Sequence, residues 1–537
     1  MNKLTNAAKE ASNALVKLVV NGHTVQVPQG ATILDAIKAA GCVVPTLCYH
    51  PRFKPEAVCR MCLVKTSKGK LVPSCCTPAE ANLVITTDTK ELKEFRTRNL
   101  QFLLSRHPDD CIRCEASGNC KLQDIVSQLQ VEECWPKEHR GSLGHPEHVL
   151  HDHTSPAIFR DMDKCIECGL CVQACAAQNI HAIGFAERGS GRIPVTAFDK
   201  PLGESGCISC GQCTWICPVG ALIEHPDWHR VIDVLDCKRR ITVVQTAPAT
   251  RVAIGEEFGL EAGSISTGRL VNALRAIGFD YVMDTNFAAD LTIMEEANEL
   301  LARVRGEVPH AKLPLFTSCC PAWINYVEMY RPDLLPHLST AKSPQQMHAA
   351  VSKWGPFAKM LDEEPFVVSI MPCTAKKDEA VRPGHRGDVD AVLTTRELAK
   401  LIKRKKIDFA SLPNDGKYDS PLGESTGAAE IFGASGGVLE AALRTAADEL
   451  GIKDAPLEWK SLRGVNEKIK VATVPGVGNV AVANSIAAAI DLLSNDDWKK
   501  DYIMIEVMAC PGGCLGGGKQ LELCLLAHKV CWFLKFA

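Results

Sequence analysis

Cysteine constrains this chain more than any other residue. The 537-residue sequence holds 26 of them, most in Cys-x-x-Cys groups. In a short secreted domain that count reads as a disulfide framework. This chain is large, shows no evident signal peptide, and spaces its cysteines as metal sites do. They read as iron–sulfur or zinc ligands, and thiolate ligation of that kind implies a reducing, anaerobic compartment.

The remaining bulk properties mostly exclude. At this length one core does not suffice, and two to four domains are expected. Hydrophobic residues make up 46% and charged residues 23%, as in ordinary globular proteins. A net charge of −3 leaves no basic footprint for nucleic acid. No uninterrupted apolar run reaches membrane-spanning length. The stretch Leu521–Ala537 is apolar, but Glu522, His528, Lys529 and Lys535 make it a poor anchor. Residues 1–15 read either as an organelle-targeting leader or as a frayed terminus.

Four cysteine modules follow one another. Within residues 16–95, two short strands (Lys17–Val20 and Thr24–Val27) meet across Asn21-Gly22, a hairpin signal. A helix follows over Thr32–Ala40, with Thr32 as N-cap and Gly41 as the stop. Hairpin, helix, then Cys48, Cys59, Cys62 and Cys75 is the layout of a β-grasp, plant-type 2Fe–2S ferredoxin, although the gap from Cys48 to Cys59 is long. Cys76 competes with Cys75, and the form Cys75-Cys76-Thr77-Pro78 favours Cys75 by its resemblance to such domains in hydrogenases and respiratory complex I. Residues 96–150 carry His107, Cys111, Cys114 and Cys120, a set that could hold zinc. Its position behind a 2Fe–2S domain resembles instead the His-ligated 4Fe–4S module of the same two families. From Val126 to Phe159 the chain is aperiodic and reads as a connector, with Cys134 a bystander. Residues 151–230 then repeat one pattern: Cys165, Cys168, Cys171 and Cys175 recur as Cys207, Cys210, Cys213 and Cys217. This is the bacterial two-cluster ferredoxin signature, in which the fourth cysteine of each run serves the other cluster. Cys217 therefore joins Cys165, Cys168 and Cys171, while Cys175 joins Cys207, Cys210 and Cys213.

Over residues 231–520 the texture changes to alternating strands (Ile241–Gln245, Leu313–Phe316) and helices (Thr267–Ile277, Glu295–Val304, Gly437–Leu450), an α/β region with largely parallel sheets. The glycines of Gly433–Gly437 mark close backbone approach, since no phosphate-loop pattern surrounds them. Cysteines here are sparse and come from three loops. These are Thr317-Ser318-Cys319-Cys320-Pro321, Met371-Pro372-Cys373-Thr374-Ala375-Lys376, and Met508-Ala509-Cys510-Pro511-Gly512-Gly513-Cys514. Cys320, Cys373, Cys510 and Cys514 suffice for one more 4Fe–4S cluster at the centre of the domain, and Gly512-Gly513 lets the backbone pass close to something bulky.

These three loops resemble the signature motifs of iron-only (FeFe) hydrogenases, and the modules before them resemble the clostridial-type accessory clusters. The resemblance runs from about residue 17 to Gln520. It implies a multidomain α+β and α/β protein: β-grasp 2Fe–2S domain, His-ligated 4Fe–4S module, two-cluster ferredoxin domain, and a large α/β catalytic domain. It implies one 2Fe–2S cluster, three accessory 4Fe–4S clusters, and an H-cluster, a 4Fe–4S group joined to a diiron group with CO, CN and azadithiolate ligands. Cys514 would be the bridging thiolate, Lys376 would hydrogen-bond a cyanide, and Met371 and Met508 would pack beside the irons. Cys319 would relay protons, continuing through Glu296, Ser339 and Glu299 to Arg303 near the surface. Glu296 and Glu299, three residues apart, share a helical face.

The activity so implied is reversible reduction of protons to hydrogen with electrons from a ferredoxin or similar carrier. Hydrogenase maturation factors would be partners, and the setting would be cytoplasm or a hydrogenosome-like organelle. Two alternatives share these motifs: a hydrogen-cycling subunit working with an NAD(P)-linked flavin subunit, and a non-catalytic iron–sulfur sensor or assembly protein. The tail 521–537 departs from the family, which continues with a proline and a helical segment, and Lys519 stands where a glycine is usual.

Overall fold

A computed structural model of the protein describes residues 14–131, 147–385, 387–451, 460–461, 469–474 and 478–517. Cys134, Lys519, nearly all of the leader, and the tail with Cys524 and Cys531 lie outside the described residues.

The N-terminal hairpin forms as the dipeptide predicts. Asn21 (φ 51°) and Gly22 (φ 85°) both take positive φ, which matches the right-handed twist of the strands Leu15–Val20 and His23–Pro28. Asn21 then uses its amide to hold Thr87, through Thr87 Oγ1 at 2.7 Å and the Thr87 amide at 2.9 Å. The helix Ile33–Ala39 starts at Thr32 in a reciprocal capping box with Asp35. The hairpin belongs to a five-stranded sheet in the order His23–Pro28, Leu15–Val20, Val84–Thr86, Leu63–Thr66, Leu71–Pro73.

A helix not foreseen from the sequence, Lys90–Ser105, carries the chain away from this domain. Its buried Arg96 donates to the carbonyls of Met61 (3.1 Å), Leu63 (2.8 Å) and Thr87 (3.0 Å), pinning the cysteine loop to the helix. The supposed connector is also partly regular. Among its described residues, His151–Asp152 and Ile158–Asp161 are strands that form a three-stranded sheet with Leu222–Glu224. Aperiodicity misled here because strands two to four residues long leave no period to detect. In the ferredoxin repeat, Gly169 (φ 79°) and Gly211 (φ 70°) occupy equivalent N-cap positions of the helices Leu170–Ala177 and Gln212–Ile216.

Among the described residues, two sheets build the C-terminal half. One is fully parallel, in the order Tyr281–Asp284, Thr242–Thr246, Phe366–Met371, Ala391–Thr394. The other is mixed, in the order Leu315–Phe316, Met504–Val507, Gly478–Ala483, Ile469–Val474, Lys460–Ser461. The helix expected over Glu295–Val304 begins ten residues earlier, as Thr285–Val304. Asp284 caps it by accepting from the Asn286 amide at 3.0 Å, and its first half is buried on several sides, which erases the one-faced pattern. A buried cation joins this half to the ferredoxin segment: Lys377 Nζ lies 2.9 Å from Asp227 and 3.1 Å from Glu397. Among the described residues, no helix is long and apolar enough to cross a membrane.

Candidate functional site

All three cysteine loops leave the carboxyl ends of strands, where open α/β sheets place their ligands. The strands Leu315–Phe316 and Met504–Val507 are paired in parallel, so the first and third loops emerge side by side. Cys320 precedes the helix Pro321–Tyr330, and its Sγ accepts from the Ala509 amide at 3.5 Å. The second loop follows Phe366–Met371 in the other sheet. Lys376 ties it to the first, donating to the Cys319 carbonyl at 3.0 Å and to Glu379 at 2.9 Å.

Gly513 has φ 84°, and a Cβ there would sit 2.5 Å from the Ser435 amide nitrogen. The close approach expected at Gly512-Gly513 is therefore to another backbone stretch, that of Gly433–Ser435. Within the glycine cluster, Gly437 is fixed by a separate close approach, since a Cβ there would meet the Ile431 carbonyl at 1.9 Å.

Between the loops lies a cavity of about 70 Å³ whose lining includes Cys319, Met371, Cys373, Lys376, Met508 and Cys514. Gln345 also faces it, and its Oε1 has no hydrogen-bond partner among the described residues. Every described cysteine is a free thiol. Burial pushes the thiols of Cys373 and Cys514 up to about 12, and that of Cys510 well above its ordinary value, with neighbouring cysteines adding to each rise. Four sulfurs so placed cannot ionise together without a cation between them. A thiolate-loving metal group with anionic ligands fits this lining: soft sulfurs on one side and the Lys376 ammonium on the other.

A path of polar side chains leads outward. Glu296 is wholly buried and accepts from the Ser318 amide at 3.3 Å. Burial lifts its carboxyl to about 7, against the opposing pull of the Ser318 amide and the Ser339 hydroxyl. Burial also drives the Cys319 thiol well up, and the Glu296 carboxylate adds to this. Ser339 Oγ donates to Glu299 at 3.1 Å. Glu299 lines a cleft of about 650 Å³ at the protein surface together with Glu295, Thr340 and Lys342. Arg303, expected near the surface, is buried with 7% exposure. Its guanidinium holds Glu299 at 2.6 Å and donates to the carbonyls of Lys312, Pro336, His337 and Leu338. It is consumed by closing a loop, and the opening to solvent lies at Glu299.

The other sets differ in how far they are buried. Cys48 Sγ and Cys59 Sγ are 3.3 Å apart. Hydrogen bonding from Cys48 lowers Cys59 to about 6, and bonding from Cys75 lowers Cys62 to about 7. Cys75 is fully buried whereas Cys76 is exposed. His107 and Cys120 are buried, Cys114 is half-buried and Cys111 is exposed. Cys114 packs so closely on the ferredoxin repeat that a Cβ on Gly220 would lie 2.7 Å from its sulfur. In the repeat, Cys168 and Cys171 act electrostatically on Cys217, and Cys210 on Cys175, Cys207 and Cys213. Cys217 thus lies near Cys168 and Cys171, and Cys175 near Cys210.

Sequence reasoning missed Glu379, Gln345 and Glu506. Glu506 is fully buried and accepts from the amides of Gly436 (2.6 Å) and Leu439 (2.9 Å), with burial raising it to about 7. A lone acid in the apolar strand before the third loop was the available signal. Gln345 and Glu379 offered none.

Comparison with known proteins finds four family models along the chain. A family model described as "Iron only hydrogenase large subunit, C-terminal domain" matches residues 240–518. Models for a 2Fe-2S iron-sulfur cluster binding domain, the NADH-ubiquinone oxidoreductase-G iron-sulfur binding region and a 4Fe-4S dicluster domain match residues 13–90, 96–134 and 164–221. The NADP-reducing hydrogenase subunit HndD of Solidesulfovibrio fructosivorans is 42% identical over 94% of this chain and 89% of its own length. Iron hydrogenase 1 of Clostridium pasteurianum is 38% identical over 94% and 88%. A solved FeFe-hydrogenase structure, concerned with stepwise H-cluster assembly, superposes with a TM-score of 0.50 at 36% identity, covering 57% of this chain and 88% of that one. Three cysteine loops around one small cavity, relay modules ahead of them, and relatives matching nearly end to end lead to one assignment: the chain belongs to the iron-only hydrogenase family.

Proposed function

We propose that this chain catalyses the reversible reduction of protons to hydrogen at the cavity between the three loops, fed with electrons through its N-terminal modules. The observation that carries the reading is that cavity itself. It is bounded by cysteines, contains one buried ammonium, and is joined to a surface cleft by acidic and hydroxyl side chains.

Cys320, Cys373, Cys510 and Cys514 would hold the 4Fe–4S part of the H-cluster, and the diiron part would occupy the cavity against Met371 and Met508. The cofactor supplies the redox centre at which two electrons and two protons become hydrogen. The protein does the rest. Lys376, held by Glu379, presents a charged donor to the anionic ligands. Phe432, Val438 and the methionines keep water out. Cys319 passes protons between the cavity and Glu296, which near neutrality can both accept and release one. Ser339 and Glu299 carry the proton to the cleft, and Arg303 fixes Glu299 in place.

The cysteines and His107 named above would hold one 2Fe–2S and three accessory 4Fe–4S clusters, which would supply a route for electrons from a ferredoxin-like carrier in a reducing compartment. A second reading, in which an NADP-linked partner subunit delivers them, is favoured by the 42% identity to HndD.

The test is purification after expression with hydrogenase maturation factors, followed by hydrogen evolution from reduced methyl viologen. About twenty irons per chain are expected if all clusters are present. Cys319→Ala should abolish evolution while keeping the iron, and wild-type rates in that variant would remove Cys319 from the path. An inactive but fully loaded wild type would favour a sensor or assembly role.

A further inference from the structure

The ferredoxin repeat touches the catalytic loops through a side chain that is not a ligand in any grouping above. Gln212 lies between Cys210 and Cys213 and is 97% buried. Its Nε2 sits 3.6 Å from Cys510 Sγ and 3.5 Å from the Gly516 carbonyl oxygen, so the third loop and the turn just after it both receive it. Both neighbours are acceptors once Cys510 is a metal-bound thiolate, which fixes the amide nitrogen toward them.

The contact is braced on either side. Gly211 approaches the second loop so closely that a Cβ there would be 2.2 Å from Thr374 Oγ1. Thr374 in turn donates to the Ser209 carbonyl at 2.9 Å. Residues 209–212 are thus clamped between the second and third loops, with little freedom for Gln212 to turn away.

We propose that Gln212 is a positioning residue that sets the reduction potential of the catalytic 4Fe–4S group through its hydrogen bond to Cys510, matching it to the accessory cluster whose loop carries it. The proposal rests on the hydrogenase reading above. Adding one electron makes the cluster and its thiolates more negative, and an N–H donor to sulfur favours that reduced form. One electron leaves the accessory cluster of Cys175, Cys207, Cys210 and Cys213 and enters the catalytic group. Gln212 gains or loses no proton in the step.

The experiment is a potentiometric titration of the matured holoenzyme, following the catalytic and accessory cluster signals by electron paramagnetic resonance. Gln212→Met keeps length and packing but removes the donor. At a fixed potential it should lower the reduced-to-oxidised ratio of the catalytic 4Fe–4S group about tenfold, a midpoint about 59 mV more negative for one electron. Gln212→Glu places an acceptor in the same space and should shift the midpoint in the same direction, so it decides the matter if the Met variant fails to load. Catalytic midpoints equal to wild type in a loaded variant would overturn the proposal. A wild-type holoenzyme with accessory signals but no catalytic-cluster signal would overturn the hydrogenase reading, and this proposal with it.

Discussion

Glu296→Gln separates the chemical role of a buried carboxyl from its cost to the fold. In the native protein Glu296 is wholly enclosed, and burial raises its carboxyl from the ordinary 4.5 to about 7. Below pH 4.5 the group is protonated in both the folded and unfolded chain, so it contributes no pH dependence. Between 4.5 and about 7 the unfolded chain releases the proton and the folded one keeps it. Wild-type stability therefore falls with rising pH, by about 1.4 kcal/mol per pH unit. Above about 7 both forms are ionised, and the penalty levels off at about 3 kcal/mol. An amide of the same shape cannot ionise, so the variant lacks this decline. Denaturant unfolding of both proteins at pH 5 and pH 8 should show the variant gaining roughly 2 to 3 kcal/mol relative to wild type between the two. Hydrogen evolution should meanwhile fall at least about 100-fold, since an amide does not relay a proton. Turnover equal to wild type would remove Glu296 from the path. Parallel stability curves would show that its carboxyl is not raised by burial.

Three further outcomes are expected. Cys75→Ser should remove the visible absorbance and paramagnetic signal of the 2Fe–2S cluster, whereas Cys76→Ser should retain both, because only Cys75 is buried against Cys62. Arg96→Leu leaves three carbonyls without their donor and should destabilise the N-terminal domain by about 3 kcal/mol, read as earlier loss of the 2Fe–2S absorbance on denaturation. Gly513→Ala forces a side chain into positive φ and onto the Ser435 amide. It should lower iron incorporation at the catalytic domain while leaving the accessory cluster signals intact.

Local chemistry made the wiring legible. Asn21-Gly22 dictates a hairpin, Thr32 and Asp35 dictate a cap, and the repeated cysteine runs dictate a pseudo-symmetric cluster domain, each within a few dozen residues. The catalytic loops were legible as residues but not as a place. Their proximity depends on Leu315–Phe316 pairing with Met504–Val507, and nothing in either strand names the other. Arg303 shows the same limit. On a helix its charge suggests solvent, and only the fold reveals the carbonyls of Pro336, His337 and Leu338 waiting around it. Gln345 and Glu379 were invisible because a glutamine at one helix start and a glutamate near the end of another helix are ordinary until the cavity they serve exists.

Lys377 has a consequence for how the two halves of the chain depend on each other. Its ammonium bonds to Asp227 from the relay half, yet it also bonds to Glu397 and the Val392 carbonyl inside the catalytic half. Removing everything up to Asp227 would take away one partner and still leave a one-to-one ion pair in the interior. Dividing the chain here therefore leaves Lys377 itself paired. At this point of the seam the catalytic half carries its own counter-charge, Glu397, and needs none from the modules before it.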